Sequence, residues 1–183
     1  PQTKLAVTRV QKVKRGGTKL RYFPSPNLNA GPEPLRLARC LYKSQASWFY
    51  CLWHRETLMR DFGAVWKLFP YGWGSDHLTL LRALVRNEVT ATNSATFVQR
   101  FVNRHAADKD PGQVRLISSE DMRRLKDRFS SACNELLRTM ELSAFQRTAL
   151  ALLLPRYVNQ RIHSEFEIAK VKFREAIDGV AHR

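Results

Sequence analysis

The chain has 183 residues, 44% of them hydrophobic, and 31 Lys and Arg face 16 Asp and Glu for a formal charge of +15. That apolar fraction excludes wholesale disorder, and the length fits one domain with an appendage. So large a positive surplus calls for a polyanion, and nucleic acid is the usual one.

The charge is uneven. Residues 1–60 hold 12 basic and 2 acidic groups, net +10, and the remaining 123 residues hold 19 and 14, net +5. Arg outnumbers Lys by 21 to 10, a bias that suits bidentate phosphate contact and equally the codon usage of a GC-rich genome. Three cysteines are too few, and odd in number, for a disulfide framework, so a reducing compartment is expected. No apolar run approaches the roughly 20 residues of a membrane span. No secretory signal is visible, and a start at Pro1 rather than Met fits a cleaved mitochondrial transit peptide or another processed or missing segment.

In chain order, residues 1–32 carry Lys4, Arg9, Lys12, Lys14, Arg15, Lys19 and Arg21 and no acid. Leu5 and Val7 alternate with polar neighbours, Val10 and Val13 follow at another spacing, and Leu20 and Tyr22 alternate again after Gly16-Gly17. A two-glycine step between alternating arms is a β-hairpin signal; a disordered basic arm reads equally well. Residues 24–34 are rich in Pro and Asn and predict an extended linker. Domain boundaries follow: a basic RNA-contacting extension over 1–23, the linker over 24–34, and a helical domain over 35–183.

From Pro34 the apolar spacing predicts helices. Leu35, Ala38, Leu41 and Leu52 begin one that runs, whole or broken near 53–57, to Phe69. Ser75 caps the next, with Leu78, Leu81 and Leu84 inside, and Asn93 or Ser94 caps another carrying Phe97, Val98, Phe101 and Val102. Residues 106–117 predict a polar loop. Ser118 and Asp121 open a helix with Met122, Leu125, Phe129 and Cys133 on one face. Ser143 opens the last pattern, which Pro155 should kink or split and Gly179 should end. The sum is an all-α fold, an irregular bundle of about five or six helices behind a basic N-terminal extension.

No catalytic arrangement stands out. Cys51-x-x-His54 is half a zinc site with no second ligand pair at a suitable distance. Ser75-Asp76-His77 has the residue types of a hydrolase triad, but neighbours in sequence cannot take up that geometry. Lys14 to Lys19 lacks the spacing of a phosphate loop, although glycines between cations let backbone phosphates approach. Trp48, Phe49, Tyr50, Trp53 and Trp66 read as core, and Tyr71 and Trp73, in a helix-breaking segment, as the better candidates for exposed stacking. Arg123, Arg124, Lys126 and Arg128 read as a solvated helix face first and as an RNA contact second.

Leu41-Tyr42-Lys43 resembles the Leu-Tyr-Arg signature of the LYR family, small three-helix mitochondrial proteins of respiratory complexes, iron–sulfur delivery and mitoribosome assembly, often found with acyl carrier protein. Lys43 stands where the signature has Arg. At class level the chain also resembles accessory proteins of mitochondrial ribosomes: an acid-free basic extension, a proline-rich bridge and an Arg-rich helical body. That resemblance implies a structural constituent of the mitochondrial matrix. It would hold rRNA through Lys4, Arg9, Lys12, Lys14, Arg15, Lys19, Arg21, Arg36 and Arg39, and neighbouring ribosomal proteins through its body. No cofactor, metal or small-molecule substrate is expected, and no enzyme activity. The alternatives are an accessory subunit of a respiratory-chain complex, as the LYR resemblance implies, and an RNA-processing or ribosome-assembly factor.

Overall fold

The computed structural model describes residues 3–14, 19–23, 28, 31–101 and 118–181. Among these residues eleven elements follow in order: β1 (Leu5–Lys14), β2 (Lys19–Phe23), α1 (Glu33–Lys43), a 3-10 turn (Ala46–Tyr50), β3 (Leu52–Trp53), α2 (Arg55–Leu68), α3 (Ser75–Val85), β4 (Val89–Phe101), α4 (Ser119–Arg138), α5 (Ala144–Arg161) and α6 (Glu165–Ala181).

The all-α expectation is overturned, because a mixed sheet forms one layer of the molecule. β4 runs parallel to β1 along its whole length, from Leu5↔Val89 to Lys14↔Phe101. A strand has two edges, so β2 and β3 share the other one: β2 pairs antiparallel with Val10–Val13 and β3 with Leu5–Ala6. Residues 93–101, expected as a helix, are thus part of a strand. Phe97, Val98 and Phe101 fit a helical spacing, but β4 as a whole, Val89–Phe101, carries two Val and three Thr, whose branched side chains suit a pleated surface. The hairpin between β1 and β2 is formed, and residues 15–18 at its tip lie outside the described residues. The uneven apolar spacing of β1 follows from its pairing. The register shifts between Thr8 and Arg9 against β4, where Asn93 to Ala95 are the extra residues, and between Lys12 and Val13 against β2.

α3 is the wall that the sheet and the helices share. Leu80, Ala83 and Leu84 face a core with Leu5, Val7, Val10 and Trp48. Leu78, Leu81 and Val85 face a larger core with Phe69, Phe129, Leu136 and Tyr157. A helix apolar on both sides belongs inside, and apart from Asp76 and His77 every residue of α3 is buried. Leu28, from the proline-rich segment, also packs in the sheet core.

Two local devices set the ends of α3. Gly74 precedes it at φ +95, and a Cβ there would stand 2.7 Å from Ile162 Cδ1 and 3.1 Å from the Phe129 ring. The glycine serves both the left-handed backbone and the close approach. Ser75, expected as the cap, is instead the first helical residue. At the other end Asn87 takes φ +59, its amide donates to Leu84 O (3.3 Å), and the Glu88 amide donates to Ala83 O (3.0 Å). This is a Schellman stop with Asn in the place usually held by Gly, and it turns the chain straight into β4.

The remaining helices follow their caps. Ser118 accepts from the Asp121 amide, and Ser143 and Gln146 form a reciprocal capping box. α5 continues through Pro155, and the break comes at Ile162–Ser164 instead. There Ser164 Oγ accepts from the Glu167 amide (3.2 Å) while Glu167 Oε2 accepts from the Ser164 amide (2.8 Å), a second box that starts α6. Among the described residues no helix is long and apolar enough to cross a membrane.

Candidate nucleic-acid interface

Among the described residues none of the four strands contains an acid, while β1, β2 and β4 carry Arg9, Lys12, Lys14, Lys19, Arg21 and Arg100. The ladder gathers most of these at one end. Lys12 lies opposite Arg21 and Val13 opposite Lys19 on one side, and Val13 lies beside Arg100 on the other. Lys14 ends β1 and Lys19 begins β2. The hairpin end of the sheet therefore concentrates basic positions from three strands. The side chains of Lys14, Lys19, Arg21 and Arg100, and all of Arg15, lie outside the described residues.

Arg9 sits among neutral hydrogen-bonding groups. Arg9 Nε donates to Thr96 Oγ1 at 2.5 Å, across the register shift. Within the three-residue excess of β4 the Thr92 and Ser94 hydroxyls are 2.7 Å apart, and the Ser94 amide donates to Thr92 Oγ1 (3.2 Å), so that Asn93, Ser94 and Ala95 stand exposed. The same strand supports an exposed aromatic ring: Tyr50 is 65% exposed and stacks on Phe97 with centroids 6.4 Å apart and planes 9° from parallel. Phe97 is the partner of Val10 in the ladder. Cations, hydroxyls and a supported ring are the groups that hold phosphates, sugars and unpaired bases.

The other expected RNA contacts are placed elsewhere. Lys4 lies at the opposite end of β1, roughly 30 Å from Lys14 at about 3.3 Å per residue. Its amide donates to Glu88 O and its carbonyl accepts from the His54 amide, both at 2.8 Å. Arg36 is only 7% exposed. Its guanidinium donates to Leu84 O (3.3 Å) and Asn87 Oδ1 (3.1 Å), holding α1 to the end of α3. Arg39 is half-buried on α1. A cleft of about 480 Å³ beside Lys4 sets Lys4, Arg36 and Arg86 against Glu33, Glu88 and Glu141, a balance of charge that gives an anion no advantage.

Arginines of the helical layer are largely structural. Asp61, fully buried, is met by Arg60 (3.0 Å), Arg82 (3.0 Å) and Arg86 (3.1 Å). Arg82 Nε has the distance of an ion pair without a directed hydrogen bond. Burial lowers the Arg82 pKa, and the hydrogen bond to Asp61 raises that of Arg60. Arg161 donates to Leu41 O (2.5 Å) and Ser44 Oγ (3.1 Å). Arg156 lies over the Tyr42 ring, whose hydroxyl donates to Leu153 O (3.1 Å), so the Leu41-Tyr42-Lys43 segment forms a joint between α1 and α5. Arg128 lies over Tyr71, which is half-buried against Phe69. Trp73 is exposed beside His163.

The polar sets that resemble catalytic sites do not assemble. Asp76 Oδ1 accepts from the His77 amide (2.7 Å), and Thr79 Oγ1 donates to Ser75 O (2.8 Å). Burial lowers the His77 pKa to about 3 and raises that of Asp76. Cys51 Sγ is near Ser47 O, whereas His54 Nδ1 is near Thr57 Oγ1. Among the described residues no group of three or more His, Cys, Asp or Glu is placed to hold a metal.

Sequence reasoning missed Arg100 and Tyr50. The signal for Arg100 was present: from 89 to 107 the chain has no acid, as in its first 32 residues. Nothing in the sequence separates Tyr50 from its buried neighbour Trp48. Compared with known proteins, the chain matches no family model, no curated protein and no solved structure.

Proposed function

We propose that the chain is a structural RNA-binding component of a ribonucleoprotein, and that the particle is the mitochondrial ribosome, in the matrix. The reading makes it a scaffold and not an enzyme. The observation that carries it is the acid-free sheet whose hairpin end draws Lys12, Lys14, Lys19, Arg21 and Arg100 together. Such a surface neutralises phosphates with little dependence on sequence, and Tyr50 offers a ring to an unpaired base. The helical layer is left to meet neighbouring proteins.

Two measurements test this. Binding of the chain to a stem–loop RNA should weaken with salt, and replacing the five cations by Gln should flatten the logarithmic salt slope by roughly 0.7 for each phosphate no longer neutralised. An unchanged slope overturns the RNA reading. Sedimentation of tagged chain from a mitochondrial lysate should follow a ribosomal subunit and shift after RNase. Migration with an RNase-resistant membrane complex instead supports the respiratory alternative.

A further inference from the structure

Helix α6 is apolar on two sides, and the body covers one. Ile168 is buried and Val171 half-buried on the side that also carries Glu175, which accepts from the Ser119 hydroxyl at the start of α4 (2.6 Å). Opposite them Phe166, Ala169, Phe173, Ala176 and Ile177 follow at intervals of three and four or one, and all are exposed, Phe166 at 78% and Phe173 at 69%. In heptad terms the two Phe hold one seam position and the two Ala the other. The seam extends for about 15 Å at 1.5 Å per residue.

The rims of this seam are cationic. Each described carboxylate of α6 is engaged: Glu165 accepts from Lys126 (2.5 Å), Glu167 is in the capping box with Ser164, and Glu175 accepts from Ser119. Lys170 and Arg174 on one rim and Lys172 on the other form no ion pair among the described residues. We propose that this face docks an amphipathic helix of a partner protein with an apolar seam and acidic flanks. The inference goes beyond RNA binding and stands on α6 alone.

Two other occupants fit less well. An antiparallel second copy would set Phe166 against Ala176 and Phe173 against Ala169, a good match of size. It would also bring Lys170 and Lys172 of both copies to the centre, on chains that each carry +15. A lipid surface would exploit continuous bulky side chains, whereas the recesses at Ala169 and Ala176 let a second helix approach closely.

The test uses the full chain and a labelled peptide of about three heptads with Leu at both seam positions and Glu at the flanks, followed by fluorescence anisotropy. The same peptide with Lys flanks, phosphatidylserine-containing vesicles, and sedimentation equilibrium of the chain alone run beside it. The Glu-flanked peptide should bind, and Phe166→Ser with Phe173→Ser should weaken it about tenfold or more. Both rings are exposed, so circular dichroism and the thermal midpoint of that variant should stay unchanged. Lys170→Glu with Lys172→Glu should reverse the preference toward the Lys-flanked peptide. The proposal fails if the Glu-flanked peptide does not bind or the Lys-flanked one binds equally. It fails also if the Phe substitutions abolish instead a dimer or vesicle binding, which would assign the face to a second copy or to a membrane.

Discussion

In the helical layer, several carboxylates are answered close by. Asp61 sits among three guanidiniums, Glu165 against Lys126, Glu135 against Arg138, and Glu167 and Asp121 on helix caps. In the sheet Arg9 has the Thr96 hydroxyl for a neighbour, and none of the described strands contains a carboxylate. The same residue type therefore stands in two settings. Arg36, Arg82 and Arg161 hold elements of the body together, while Arg9, Arg21 and Arg100 stand on strands that contain no acid. A composition of 21 Arg says nothing of this division; only the placement of the acids does.

The contrast can be pressed hardest at Asp61. Asp61→Asn would leave Arg82 buried with no counter-charge and should cost about 3 kcal/mol in urea denaturation, at the low end for a broken buried pair because Arg60 and Arg86 reach water. Its RNA affinity should not change. The five Gln replacements in the sheet should do the reverse, with stability moving by no more than about 0.5 kcal/mol for each. A stability loss shared equally by the two variants would erase the distinction between the layers.

Acid provides the next largest effect. His77 is neutral in the fold because burial lowers its pKa to about 3, below the value near 6.5 of an open chain. The unfolded chain then takes up a proton that the folded one refuses. The stabilising contribution is whole above pH 6.5 and is lost as pH falls toward 3, at up to about 1.4 kcal/mol per pH unit. Urea midpoints should therefore fall between pH 7 and 5, and His77→Gln should remove that share. The lowered pKa of His163, also caused by burial, acts in the same direction and should persist in the variant. A wild-type slope that His77→Gln leaves intact would place the acid-sensitive group elsewhere.

Gly74→Ala is the mildest of the three. The added methyl meets Ile162 and Phe129 at a residue with φ +95, so about 2 kcal/mol should be lost from strain and overpacking. Ile162→Val in the same chain should recover part of it, since Ile162 Cδ1 is the nearest atom. Failure of that rescue would mean that the backbone, and not the crowding, sets the cost.

Most helices were legible because each has both a cap and a periodic face: Ser118 with Met122 and Phe129, Ser143 with Leu150 and Leu154. The break at Ile162–Ser164 was missed: Ser164 and Glu167 carry its signal, but the more conspicuous Pro155 puts the expected break in the wrong place. β4 was not. A segment with Phe97, Val98 and Phe101 carries a helical spacing and a strand composition together, and what decides between them is a partner strand in the first residues of the chain, a long-range fact. The cations of β1 and β2 were visible as a run without acids. Their convergence with Arg100 depends on that parallel pairing and could not be read locally.

Parallel pairing also sets an order of events. Leu5 lies beside Val89, and nothing between them offers β1 its longest edge. During synthesis the first strand, with its buried Leu5, Val7 and Val10, is made long before its neighbour exists. Contacts so distant in sequence close slowly, and an apolar strand with open edges is exposed while it waits. The longest edge of β1 can close only once residues 89–101 are made.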